Sequence, residues 1–305
     1  MSSFIVLAGP TGVGKTELSF ELAEYAGAEI VSADSRQIYR GLNIGTAKPT
    51  RDELARVRHH FIDELSIDRP YSAGRFQQDA KTRIREIVER GRVPLVVGGS
   101  TLYIYALKHG LADIPNIPAE ILESLEAELQ RRGGHALFEE LKTADPRSAV
   151  RLDPTKTHRL MRALAVYRST GRPLSSFHDE QESPDHAFRV IVLSRDRQEL
   201  YRRINARVDS MIARGLMDEV RDILAQGYEP DSNPLRTIGY REAIEYLHGE
   251  ISREEMIRLI KRNSRRYAKR QLTWFRRDDT NVWLDASRPT EELIDTIVGM
   301  EQLGG

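Results

Sequence analysis

The chain has 305 residues, 40% of them apolar and 30% charged, with 46 basic against 46 acidic side chains and no cysteine. That length implies a main body plus a second module, and the missing cysteines exclude disulfides, thiolate metal sites and thiol catalysis. No apolar stretch approaches the roughly 18 residues that span a bilayer, so no membrane contact is expected, and the lack of a secretory leader points to the cytoplasm.

Residues 1–110 alternate short apolar runs with helical spacing: FIVLA at 4–8, a helix over Glu17–Tyr25, EIVSA at 29–33, HFIDE at 60–64, a helix carrying Phe76, Ala80, Ile84, Ile87 and Val88, then PLVVGG at 94–99. Strands alternating with helices predict a parallel sheet covered on both faces, which binds ligands at the carboxyl ends of its strands. From Asp113 the texture changes to proline-rich DIPNIPAE and then helical patterns without a strand. Residues 113–185 therefore read as a helical insertion domain in a body made of 1–112 and 186–305. FRVIVLS at 188–194 resumes the strand pattern, and long helices follow, including 200–213 and 251–274.

GPTGVGKT at 9–16 fits the phosphate-loop spacing G-x-x-x-x-G-K-[ST], directly after the first strand. Gly9, Gly12 and Gly14, with Pro10, Thr11 and Val13 between them, allow a tight turn that aims successive amides inward. The following helix adds the positive end of its dipole, Lys15 supplies a cation, and the Thr16 hydroxyl suits a magnesium ion shared with phosphate oxygens. Such a cradle requires a diphosphate, not specifically ATP. The second acidic residue usual in nucleoside triphosphatases has one candidate, Asp63, behind a short apolar run. Asp34 in DSRQIY at 34–39 should emerge at the same sheet edge, where it could bind magnesium, accept a proton from a nucleophile or cap a turn.

Between Arg258 and Arg277 stand nine basic residues and no acid. Arg258, Lys261, Arg262, Arg265, Arg266, Lys269 and Arg270 share one helical face, and a stripe of one sign suits a phosphate backbone. Ile257, Ile260, Tyr267 and Trp274 are expected to pack into the core on the other side. His59 and His60 have no third metal ligand at useful spacing and are expected to cap or pack.

Together with IGTAKP at 44–49, GGSTLY at 98–103, DPTKTHRLMRALAVYRSTGRPLS at 153–175, TIGYRE at 237–242 and AKRQLTWFR at 268–276, the cradle and DSRQIY resemble the tRNA dimethylallyltransferases, also called tRNA isopentenyltransferases. The similarity runs in order from Phe4 to Trp283. It implies a P-loop NTPase-like parallel sheet flanked by helices, and transfer of a dimethylallyl group from dimethylallyl diphosphate to N6 of adenosine 37 beside the anticodon. A P-loop small-molecule kinase is the alternative that the cradle alone would suggest.

By this resemblance Asp34 is the base, while Lys15, Arg203 and Mg2+ on Thr16 act on the leaving diphosphate. Arg202 beside Arg203 is the position most easily confused with it. Asp34, Ser35, Arg36, Gln37, Ser100, His158, Arg159, Leu160, Met161, Arg162, Arg236, Thr237, Ile238, Gly239, Tyr240 and Arg241 would line the tRNA path, with the insertion against the anticodon stem. Ser100 stands where the family commonly has threonine. The absence of the cysteines of the zinc finger that some members carry resembles the bacterial form, and a monomer is expected.

Overall fold

The computed structural model describes residues 3–153, 155–180 and 186–302. It divides into two compact units, Met1–Lys108 with Pro184–Gly305, and His109–Ser183.

The first unit contains β1 (Ser3–Ala8), α1 (Lys15–Ala26), β2 (Ala28–Ala33), α2 (Arg51–Arg56), β3 (His59–His60), α3 (Ala73–Glu89), β4 (Val93–Gly98) and α4 (Thr101–His109). The helical unit carries α5 (Ala119–Ala144), α6 (Pro146–Arg151), α7 (Thr157–Thr170) and α8 (Leu174–Asp179). The chain then returns with β5 (Ala187–Ser194), α9 (Arg197–Ala213), α10 (Leu216–Ala225), α11 (Tyr240–Leu247), α12 (Arg253–Phe275), β6 (Val282–Asp285) and α13 (Thr290–Gln302).

The six strands form one parallel sheet in the order β3-β2-β4-β1-β5-β6. The central strands are near-continuous apolar runs because both their faces are covered: Val6, Leu7 and Ala8 are fully buried, as are Ile191, Val192 and Leu193. Leu7, Ile30, Leu95 and Ile191 join Leu18, Leu22, Ile204 and Ala268 from the surrounding helices in one core.

Two expectations change. β3 is only His59–His60, so HFIDE contributes a single residue to it, because Phe61 (φ 65°) and Asp63 (φ 56°) leave the extended region. Val88 is 47% exposed, while Phe76, Ala80, Ile84 and Ile87 are buried as expected. β6, which extends the sheet beyond β5, is an element that the sequence reading missed.

The helical unit has its own core of Leu125, Leu137, Leu141, Leu160, Ala163 and Leu164. Asp145, fully buried, caps α6 through the Ser148 amide and also accepts the Ser175 amide, which ties α8 back to α6.

Candidate functional site

Three strands deliver their carboxyl ends to one edge. Ala8 of β1 and Ala33 of β2 both pair with Gly98 of β4, which lies between them. A side chain at Gly98 would stand 2.2 Å from the Ala33 carbonyl oxygen, so only glycine lets the strands meet this closely. The loop at 9–14, Asp34 and the Gly99–Ser100 turn therefore converge around a cavity of about 760 Å³.

The cradle's shape depends on Gly14, which opens α1 at φ 111°, a conformation costly for any residue with a Cβ. Cations hold its carbonyls. Lys15 Nζ donates to Gly9 O (2.8 Å) and Pro10 O (2.9 Å), Arg203 Nε to Gly12 O (3.0 Å), and Arg195 Nε to Val13 O (2.9 Å). A peptide plane with its oxygen drawn to one side presents its amide to the other, so these bonds organise the loop's remaining N–H groups for an anion.

Gln271 adds a brace from α12. Its buried side chain accepts the Thr11 amide (3.0 Å) and donates to Gly99 O (2.7 Å). At Gly99 a Cβ would lie 2.5 Å from Gln271 Nε2, so the brace requires glycine there.

Burial, reinforced by the guanidinium of Arg207, depresses the Lys15 ammonium to about 7, against the pull of the Asp34 carboxylate. Arg207 lies one turn beyond Arg203 on α9 and lines the cavity, and its Nη2 donates to Thr46 O (3.1 Å). Burial holds its guanidinium below the usual arginine value. Arg203 also lines the cavity, with Glu17 3.6 Å away, whereas Arg202 is exposed and outside the lining. Arg195, Arg207 and Gln271 were not singled out from the sequence; the i, i+4 repeat of Arg203 and Arg207 and the place of Gln271 within AKRQLTWFR were the signals that could have found two of them.

Asp34 follows β2 directly. Its Oδ1 accepts the amides of Arg36 (2.8 Å) and Gln37 (3.2 Å), so it does cap a turn, and it also lines the cavity facing the cradle. Both bonds fall on the same oxygen, Oδ1, so the turn engages one oxygen of the carboxylate. Ser35, Arg36, Gln37, Ser100, Arg236, Thr237 and Ile238 line the same cavity. The Thr237 hydroxyl is buried without a hydrogen-bond partner among the described residues, a group that a bound polar ligand would satisfy.

Several sequence candidates are structural. Asp63 receives the Lys48 ammonium at 2.5 Å and does not line the cavity, because Lys48 is itself buried and needs a counter-charge. Tyr240, placed on the RNA path from the sequence, is fully buried; its hydroxyl donates to Glu219 (2.7 Å), whose carboxylate also accepts the Asn43, Ile44 and Gly45 amides. Gly239 is buried too, its amide donating to Glu242 (2.8 Å), and Arg241 is exposed. IGTAKP and TIGYRE thus recur together because each supports the other: a Cβ on Gly45 would stand 2.4 Å from the Tyr240 ring.

In α7, His158, Arg159 and Arg162 are exposed, but Leu160 is fully buried in the helical unit's core and Met161 packs against it. Side-chain contact of Leu160 with RNA is therefore excluded. His60 is buried against Glu29 (2.7 Å), a packing role in place of a metal site.

The basic stripe is partly engaged by neighbouring side chains, one of them a carboxylate from the first turn of α12 itself. Arg258 pairs with Glu255 (2.5 Å), Lys261 with Asp209 (2.6 Å), and Arg265 donates to Asn205 (2.6 Å), while Arg266, Lys269 and Arg270 remain exposed. On the opposite side Ile260 is buried as expected, but Tyr267 is 36% exposed and lines the cavity, so it is not core.

A family model described as IPP transferase matches residues 37–278. The tRNA dimethylallyltransferase of Salinibacter ruber is 53% identical over 295 residues, covering 96% of this chain and 91% of that protein. tRNA dimethylallyltransferase 1 of Pelobacter propionicus is 46% identical over 283 residues, 92% of each chain. Among solved structures, the full-length tRNA isopentenylpyrophosphate transferase of Bacillus halodurans superposes with a TM-score of 0.73 at 38% identity, covering 99% of this chain and 97% of that one. A eukaryotic dimethylallyltransferase captured acting on tRNA gives 0.81 at 28% identity, covering 94% and 74%.

Proposed function

The chain belongs to the IPP transferase family of tRNA dimethylallyltransferases, and on that premise we propose that it transfers the dimethylallyl group of dimethylallyl diphosphate to N6 of adenosine 37 in tRNA. The observation that carries this reading is that the 9–16 loop and the Asp34 carboxylate line one and the same cavity.

Adenine N6 is a weak nucleophile because its lone pair is delocalised into the ring. Attack on the allylic carbon forms the N–C bond as the C–O bond breaks, and the electron pair leaves with diphosphate. The cradle amides, Lys15 and Arg203 neutralise the growing charge, with Arg207 as a further cation lining the cavity. The Asp34 carboxylate accepts the N6 proton. Such a base is worth about 10²- to 10⁴-fold, whereas aligning two bound substrates contributes about 7–11 kcal/mol, so positioning outweighs it.

Among the described residues no group of three or more His, Cys, Asp or Glu is placed to hold a metal ion. Magnesium fits instead as an ion carried by the substrate, since it retains waters and needs only one or two protein oxygens beside phosphate oxygens. The exposed Thr16 hydroxyl on the cavity wall would provide one, and the ion would supply further neutralisation of the diphosphate.

We infer that the exposed His158, Arg159 and Arg162 of α7 meet the anticodon stem, and that the protein acts as a cytoplasmic monomer. No helix among the described residues is long and apolar enough to cross a membrane. A small-molecule kinase is not favoured: Asp63 is committed to Lys48, and the relatives named above are tRNA prenyltransferases.

The test incubates the protein with labelled dimethylallyl diphosphate, magnesium and unmodified tRNA bearing adenines at 36–38. Label on adenosine 37, found by nucleoside mass analysis, is expected. No label, with phosphoryl transfer from ATP to a nucleoside instead, would overturn the assignment.

A further inference from the structure

Among the described residues lining the cavity, Tyr267 carries the one aromatic ring. It belongs to the face of α12 that also presents Ile260, Ser264 and Gln271 to the cavity, at steps of four, three and four residues. Ile260 is 1% exposed and Gln271 3%, but Tyr267 is 36% exposed. Tyr267 thus stays partly open to the cavity where Ile260 and Gln271 on the same face are packed.

Two further observations orient it. The Arg270 guanidinium lies 5.6 Å from the ring centroid, a cation–π contact that limits the ring's freedom. Asp34 and Arg36, at the end of β2, line the same cavity as Tyr267, and their charges act on its hydroxyl. Burial within the cavity and the Asp34 charge push that hydroxyl up to about 12, so it keeps its proton at neutral pH and cannot serve as a second base.

A nucleobase taken out of its stack loses a few kcal/mol, and an aromatic face restores about 1–3 kcal/mol per base. The larger apolar cavity residues, Val13, Ile204, Val208, Met211, Ile238 and Ile260, carry no ring and offer no such face.

We propose that Tyr267 is the stacking surface for the target adenine, holding its N6 between the allylic carbon of the donor and Asp34. The role rests on the transferase reading and deepens it: Tyr267 positions the acceptor base, as the cradle positions the donor.

The experiment compares wild type, Tyr267→Leu and Tyr267→Phe on an anticodon stem-loop RNA. Loss of 1–3 kcal/mol corresponds to about a 5- to 150-fold rise in the KM for RNA in the Leu variant, with the KM for dimethylallyl diphosphate unmoved and the melting temperature as a folding control. The Phe variant, which keeps the ring, is expected to rescue the RNA KM. A second readout needs no turnover: RNA with 2-aminopurine at the target position should lose fluorescence on binding wild type and the Phe variant, but not the Leu variant.

An unchanged RNA KM in the Leu variant, or quenching that persists there, would overturn the proposal. Wild-type protein that quenches the probe yet transfers no prenyl group would sink the transferase reading while leaving the stacking role standing.

Discussion

Lys15 and Arg207 face the same cavity, and the guanidinium adds to burial in holding the Lys15 ammonium down to about 7, far below its ordinary 10.5. A diphosphate entering between them reverses that balance, because its charge favours the protonated amine. Binding above neutral pH should therefore draw a proton from solvent.

At pH 8.5, where the free Lys15 is mostly neutral and the diphosphate fully ionised, calorimetry in buffers of different ionisation enthalpy should find uptake approaching one proton. Donor affinity should fall as pH rises above about 7. Lys15→Met should abolish both effects. The same depression costs the empty protein stability, roughly 1.4 kcal/mol per pKa unit: the unfolded chain binds the proton more readily, so the penalty is complete below pH 7 and vanishes towards pH 10.5. Lys15→Met should accordingly raise the melting temperature at pH 6 and gain progressively less at higher pH.

Arg203 and Arg207 should be separable from their neighbour. Arg203→Ala removes both a cation and the bond to Gly12 O, and a loss of about 10²- to 10³-fold in kcat/KM is expected, the magnitude of a single lost donor to a developing anion. Arg207→Ala should fall in the same range. Arg202→Ala, at an exposed position outside the cavity, should leave steady-state parameters unchanged.

Asp34→Asn keeps the Oδ1 acceptor for the Arg36 and Gln37 amides, so the turn should survive. Only the carboxylate charge, and with it the proposed proton acceptor, is lost. Turnover should drop about 10²- to 10⁴-fold with the Kd for dimethylallyl diphosphate little altered. A large loss of donor affinity at unchanged turnover would make Asp34 a binding residue.

Removing the brace from α12 tests the cradle's dependence on distant structure. Gln271→Ala leaves the Thr11 amide and Gly99 carbonyl unsatisfied, each costing about 1–3 kcal/mol. Chemical denaturation should register the loss of stability, and kinetics should show it mainly as a raised KM for the donor.

The exposed half of the basic stripe should carry the salt dependence of RNA binding. Lys269→Ala and Arg266→Ala should each reduce the slope of log K against log salt by about 0.7–0.9. Arg258→Ala should change it less, because Glu255 already neutralises that guanidinium at 2.5 Å.

Features encoded within a short stretch of chain were legible from the sequence. GPTGVGKT fixes its own backbone through its glycines, the apolar runs of β1, β2, β4 and β5 declare a buried parallel sheet, and the ordered motifs carried the family resemblance. β6 escaped, and β3 shrank to two residues because positive φ at Phe61 and Asp63 has no signature in residues other than glycine.

Tertiary packing alone decided which side chains share a cavity. Asp63 and Asp34 both follow apolar runs, yet the buried Lys48 claims the first while the second faces the cradle. Tyr240 and Tyr267 both sit on helices, but one is sealed against Glu219 and the other opens onto the cavity. Helical spacing states which residues share a face; whether that face meets core or void depends on an element contributed from hundreds of residues away. Gln271 braces Thr11 across 260 positions, a relationship that local sequence cannot contain because the free energy favouring it exists only after α12 has packed against the sheet.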